Sequence, residues 1–206
     1  MLKKYDILYI DPPWKFNARS NTNTKFGGGA MKHYPTMTMS EIKKLDFSLL
    51  LKDNGLAYVW VTLAKLPECI NAIQSKDLQY ATTGFVWVKL KGSSDTPTDT
   101  HRYYMDDTYY RPFFGVGNYT ASNAEICLIF RKNKMIKYEQ KVSQIIISKI
   151  EEHSKKPKEA YDLLNTMYPN ADKLEIFARN SYEGFDSIGN QFNDMDIKEV
   201  LKLYSK

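Results

Sequence analysis

Two adjacent prolines end an apolar strand early in this chain, and no other sequence feature constrains the fold as much. Tyr5-Asp6-Ile7-Leu8-Tyr9-Ile10 reads as a buried strand, and Asp11-Pro12-Pro13-Trp14 follows without a spacer. Proline fixes φ and has no amide hydrogen, so neither a helix nor a sheet ladder runs through such a pair. The chain must turn there. The turn leaves a carboxylate and an indole at the strand's C-terminal edge, which is where open α/β sheets bind ligands.

The remaining pattern alternates strands with helices. Thr38-Met39-Ser40-Glu41 fits a capping box; Ile42, Leu45 and Leu49 follow at helical spacing, and Asp53-Asn54-Gly55 ends that helix. Strands are expected at 56–62, 82–90, 125–131, 144–148 and 173–178. Helices are expected to open at Leu66-Pro67 and at Pro157. This predicts one α/β domain over 1–206, with a mostly parallel central sheet flanked by helices. Residues 15–36 and 91–124 read as long polar loops without regular structure, and loops of that length are usually functional. The segment 194–206 reads as a C-terminal helix with Ile197, Val200, Leu201 and Tyr204 on one face. Docking on the parent domain is its expected role, with a partner interface as the alternative.

Composition narrows the partners. The 206 residues carry a net charge of +5 and 14% aromatics, with 15 tyrosines. Several tyrosines crowd Tyr103 to Tyr119. Basic charge with interleaved aromatics suits phosphates and unstacked bases. No apolar run approaches the roughly 20 residues of a membrane span. No export signal follows Lys3-Lys4, so a cytoplasmic location in a bacterial or phage-infected cell is expected. Cys69 and Cys127 read as buried reduced thiols. His33, His101 and His153 lie too far apart in sequence for a zinc pattern, and no metal is expected.

The D-P-P-W turn suits a grip on a planar amine. The Asp11 carboxylate can accept one N–H and the Pro12 carbonyl, locked by Pro13, the other. That would stabilise charge growing on the nitrogen. Trp14 could stack on the heterocycle of an extruded base. The same four residues also fit a plain turn with a core tryptophan.

Later blocks decide between these readings. They are His33-Tyr34-Pro35-Thr36-Met37, Tyr58-Val59-Trp60-Val61-Thr62, Phe85-Val86-Trp87-Val88-Lys89, His153-Ser154-Lys155-Lys156-Pro157, Lys173 to Arg179, and Gly189-Asn190-Gln191. With Asp11 to Trp14 they resemble, in order, the DPPW-type N6-adenine methyltransferases related to the messenger-RNA adenosine methyltransferase. The resemblance implies a Rossmann-like fold with permuted motifs, the D-P-P-W half first and the cofactor half last. It implies S-adenosyl-L-methionine as cofactor and methyl transfer to adenine N6 in DNA. RNA is the alternative substrate, and a non-catalytic nucleic-acid-binding subunit or an enzyme for another planar amine are further ones. Homodimer and monomer are both left open.

The resemblance also implies roles. Asp11, Pro12, Pro13 and Trp14 would be catalytic. Asp11, Lys156, Glu175, Arg179, Ser181, Asn190 and Gln191 would hold the cofactor, Lys156 through its carboxylate. Trp14, Tyr34, Lys89, Asn123 and Glu125 would meet the substrate. Glu175 could equally form an ion pair with Arg179. The chain departs from the relative in two places: the strand before Asp11 has no counterpart of an upstream aspartate segment, and Ser181-Tyr182 stands in place of a His-Asn pair.

Overall fold

The computed structural model describes residues 2–15, 36–75, 77–93, 103–105, 108–115, 117, 119–151 and 155–205. β1 (Tyr5–Ile10) is buried along its whole length, since strands flank it and helices cover both faces of the sheet. It pairs in parallel with β2 (Leu51–Thr62) on one side and β8 (Lys173–Ile176) on the other. Beyond β8 lies β9 (Asp186–Ile188), also parallel. Beyond β2, the strand β6 (Ala124–Arg131) runs antiparallel and pairs in turn with β3 (Gln79–Ser93). The last part of β3 pairs with β5 (Thr108–Pro112), which carries β4 (Tyr103–Met105) in a hairpin. β7 (Ile145–Lys149) joins β3 in parallel over Val86–Leu90. Among the described strands, only β5 and β6 run against the others, so the sheet is mostly parallel in direction, as the alternation predicted.

Alternation of side chains along β1 builds two cores. Leu8 and Ile10 face a layer of α1 (Met39–Lys43), α2 (Leu66–Ile73) and α4 (Ile197–Tyr204), with Ile42, Cys69, Ile73, Ile197 and Leu201 buried against them. Ile7 and Tyr9 face α3 (Lys158–Met167) through Ala160, Tyr161 and Leu164. The second core is aromatic. Tyr9 packs on Tyr161 at 4.6 Å between ring centroids, and Trp60 meets Trp87 edge-on at 6.4 Å. Both cysteines are buried and free. No helix among the described residues is long and apolar enough to cross a membrane.

Local chemistry explains where the elements differ from expectation. The capping box forms as predicted, with Glu41 accepting the Thr38 N–H at 2.8 Å. The helix it starts ends early. Asp46 accepts from the Ser48 amide and hydroxyl and opens a separate 3-10 turn, Phe47–Leu50. Asp53-Asn54-Gly55 therefore does not end a helix. It falls inside β2, where the register with β1 shifts between Tyr5 and Ile7. β8 stops at Ile176 because Phe177 takes a left-handed conformation, φ 66°. The segment 91–124 was expected to lack regular structure; it contains β4 and β5, built from tyrosine-rich stretches of high β-propensity. β9 was also unexpected. The C-terminal helix docks on the domain. Asp196 caps it, Ile197 and Leu201 bury, and the Tyr204 hydroxyl donates to the Lys3 carbonyl at 2.5 Å.

Candidate active site

The proline pair makes a tight turn. The Trp14 amide donates back to the Pro12 carbonyl at 2.8 Å, and Pro13's carbonyl accepts from Met37 at 2.8 Å. Lys15 donates to the Met37 carbonyl at 2.9 Å. Both stems of the 15–36 loop are thus stitched to the turn. Tyr34 and most of that loop lie outside the described residues, as do Glu152, His153 and Ser154 of the block before Lys156.

Trp14 requires a correction. Its side chain is 5% exposed and its Nε1 donates to the Trp60 carbonyl at 3.1 Å. A ring this deeply buried leaves almost no face for a base to stack on. The core-tryptophan reading holds for the ring, although the turn around it still borders a cleft.

That cleft has a volume of about 310 Å³ and opens at the C-terminal ends of β1 and β8. Asp11, Pro13, Arg179, Asn190 and Gln191 line it. These come from the two distant sequence blocks that resemblance assigned to one site. Phe177, Ala178 and Ile188 make apolar wall, and a Cβ on Gly189 would collide with the Ala178 carbonyl, so only glycine lets the Gly-Asn-Gln segment lie this close. Ser181 is exposed and is not among the lining residues. Sequence reasoning missed Thr36, Glu41, Asp196 and Lys198, which also line the cleft. Asp196 carried a legible signal, an N-cap residue three before Glu199. The left-handed Phe177 carried none.

Behind Asp11 runs a row of alternating charges. The Lys156 ammonium lies 2.8 Å from Asp11 Oδ2 and 3.2 Å from Glu125 Oε2. Glu125 Oε1 in turn takes Lys89 at 2.5 Å. Lys156 has 7% of its side chain exposed and also lies over the Trp60 ring, 5.8 Å from its centroid. Two expectations change. Lys156 was assigned to a cofactor carboxylate, but its head group bridges two protein carboxylates and it does not line the cleft. Lys89 was expected to face phosphate, but its charge is turned inward on Glu125. Asn123 meets β3 through its backbone, its carbonyl accepting from the Lys89 amide at 2.9 Å.

The environment tunes these groups. Burial pushes the Asp11 carboxyl above its ordinary range, opposed by the Lys156 charge. Burial also works against the charge on Lys156, but Asp11 and Glu125 together hold its pKa above normal. For Glu125 the two flanking lysines outweigh burial and bring its pKa down. Glu175 lies one strand from Tyr9 in β8 register. Burial pushes its carboxyl up to about 7, although the Tyr161 hydroxyl donates to Oε1 at 2.8 Å. Its Oε2 has no hydrogen-bond partner among the described residues. The structure shows no direct Glu175 contact with the cleft.

A mostly parallel sheet wrapped on both faces, with a carboxylate turn and an amide-bearing loop meeting at one cleft, defines a Rossmann-like α/β methyltransferase. The model of one such family, MT-A70, matches residues 5–191. The chain belongs to the MT-A70 family, a family of N6-adenine methyltransferases. It is 28% identical to Type II methyltransferase M.MunI of a Mycoplasma species over 95% of this chain and 81% of the relative. It is 27% identical to an N(6)-adenosine-methyltransferase MT-A70-like protein of Arabidopsis thaliana, covering all of this chain and 26% of that one. It is 23% identical to the N(6)-adenosine-methyltransferase catalytic subunit METTL3 of Homo sapiens, over 96% and 30% respectively. The chain thus spans most of the bacterial relative but a third or less of the plant and human ones.

Proposed function

We propose that this chain uses S-adenosyl-L-methionine to methylate the N6 amine of adenine in DNA. The observation that carries the reading is Asp11: a carboxylate on a proline-locked turn, lining the cleft and backed by a buried lysine. Asp11 accepts one N–H of the amine. The Pro12 carbonyl, with one lone pair on the Trp14 amide, has a second for the other N–H. Held this way, the nitrogen turns toward tetrahedral geometry and the charge growing on it is stabilised. The surplus proton then passes to Asp11, whose raised pKa makes it a better acceptor than an ordinary aspartate.

The cleft suits the cofactor chemically. S-adenosylmethionine is a zwitterion at one end and a ribosyl-adenine at the other, and it supplies its methyl from a sulfonium. Asp11 offers a carboxylate for the ammonium end. Arg179, Asn190 and Gln191 offer donors and acceptors for the ribose and base between apolar walls. Lys156 acts on Asp11, holding its carboxylate in place.

DNA is favoured over RNA because the match to M.MunI, named a Type II methyltransferase, covers most of that protein. The test is tritium transfer from labelled S-adenosylmethionine to matched DNA and RNA oligonucleotides, with nucleoside analysis of the product. N6-methyladenine in DNA is expected. Label confined to RNA would sink the DNA assignment, and label in neither, from a chain that binds cofactor, would sink the reaction.

A further inference from the structure

We propose that the loop joining β5 to β6 is the docking platform for the substrate strand, with Phe114 and Tyr119 stacking on unstacked bases and Lys91 and Arg111 pairing with phosphates. The inference rests on the nucleic-acid reading above and says which surface receives that partner.

Phe114 is 84% exposed and Tyr119 fully so, the two most exposed large hydrophobic side chains among the described residues. They are not on a loose tether. The Phe113 amide donates to the Lys89 carbonyl at 2.8 Å, and the Lys89 amide donates to the Asn123 carbonyl at 2.9 Å. Both stems of the loop therefore close on one residue. Ser122 donates to the Gly115 carbonyl at 3.2 Å across it. At Gly117 a Cβ would collide with the Thr120 carbonyl, so the loop folds tightly on itself and presents its rings outward.

Lys89 ties this loop to the chemistry. Its ammonium is the outer end of the row that runs through Glu125 and Lys156 to Asp11. Two residues along the same face of β3 is Lys91, whose register partner on β5 is Arg111. Both are exposed. Like charges directly opposed across a sheet are unfavourable. A polyanion lying across them removes that cost. With Trp14 buried, base stacking falls to another ring, and the loop that carries these two closes on Lys89, the outer end of the row that leads to Asp11. Cations beside exposed aromatics are the pattern that binds an unpaired nucleic-acid strand, where phosphates meet charge and bases meet π-faces.

The experiment measures fluorescence anisotropy of a labelled, adenine-containing single-stranded DNA oligonucleotide with the full chain across a salt series. Phe114→Ala with Tyr119→Ala should raise Kd at least about thirtyfold and leave the salt slope unchanged. Phe114→Tyr with Tyr119→Phe should restore wild-type affinity. Lys91→Ala with Arg111→Ala should flatten the log–log salt slope by about 1.4, two phosphate contacts on a single strand. Calorimetry should give wild-type S-adenosylmethionine affinity for every variant. Unchanged oligonucleotide affinity in the aromatic double variant overturns the platform. So does conversion of a dimer to a monomer with unchanged affinity per site, which would make the surface a protein interface. Oligonucleotide binding through these residues without methylation leaves the platform standing and overturns the proposed reaction instead.

Discussion

The two ends of β1 carry the same device in opposite surroundings. At the start of the strand, Lys52 bridges Asp6 and Asp172, each at 2.7 Å. Just past its end, Lys156 bridges Asp11 and Glu125 at 2.8 and 3.2 Å. The first lysine has 38% of its side chain exposed and the second 7%. Water reaches Lys52 and Asp172, and the buried Asp6 carboxylate also accepts the Asp172 amide, so the first bridge contributes little. At the second, each charge depends on its neighbours for the solvation it has lost. Geometry alone does not separate a stitch from a reactive centre; burial does, and the buried end is the one beside the cleft.

Removing each lysine breaks the comparison most sharply. Lys156→Met should destabilise the chain by about 3–5 kcal/mol in urea unfolding, because it leaves buried carboxylates without their shared cation. Asp11, already above the usual carboxylate range, should be driven higher. Residual activity should therefore move to more alkaline pH. A loss below about 1 kcal/mol would show that the row is hydrated in solution and would erase the distinction between the two ends.

Asp11→Asn should separate stability from activity. It deletes a carboxylate whose charge is penalised by burial and leaves Lys156 still paired with Glu125, so the loss of stability should be smaller than that of Lys156→Met. Transfer to DNA should fall by about a hundred- to a thousandfold, the cost of losing one preorganised charge from the reacting centre. Near-normal turnover would remove Asp11 from the chemistry, whatever its place in the cleft.

How much of this was legible depended on whether a residue's role is local. The strand–proline turn, the capping box at Thr38 and the helix after Pro157 each follow from a few adjacent residues. The structure shows all three. Asp11, Arg179, Asn190 and Gln191 were brought together by motif order, and they do share one cleft. What failed was orientation. Nothing in Trp14 or Lys156 states whether the side chain points toward cleft or core. That is decided by the Trp60 carbonyl and the Glu125 carboxylate, contributed by β2 and β6. β9 and the β4–β5 hairpin were missed because strands of three to five residues carry too little periodicity to stand out against loops.

Glu175 sharpens the comparison from a third position, since it is buried near Asp11, with Tyr161 donating to one carboxyl oxygen and no partner for the other among the described residues. Its carboxyl is pushed up to about 7 by burial, against an unfolded value near 4.3. A raised folded pKa contributes stability that is complete below the unfolded value and disappears as pH rises through the folded one. Wild type should therefore lose about 3 kcal/mol relative to Glu175→Gln between pH 4.5 and pH 8. Parallel unfolding curves for the two proteins over that range would mean that water or a cation reaches Oε2.

The smallest effect belongs to the exposed bridge. Lys52→Met should cost less than about 1 kcal/mol. Asp6 Oδ2 still accepts the Asp172 amide at 2.9 Å, and Asp172 keeps Lys3 at 3.4 Å, so neither carboxylate is stranded. The loss should shrink further as salt is added. Its pH dependence has a definite sign. The hydrogen bond from Lys52 lowers the pKa of Asp172, so the bridge contributes above the ordinary carboxylate pKa and fades as acid protonates the group. Wild type and Lys52→Met should therefore begin to converge in stability below about pH 4 and become alike once the pH falls below the lowered pKa of Asp172. A difference that persisted there, or one as large as that of Lys156→Met, would mean that the start of β1 is as dry as its end.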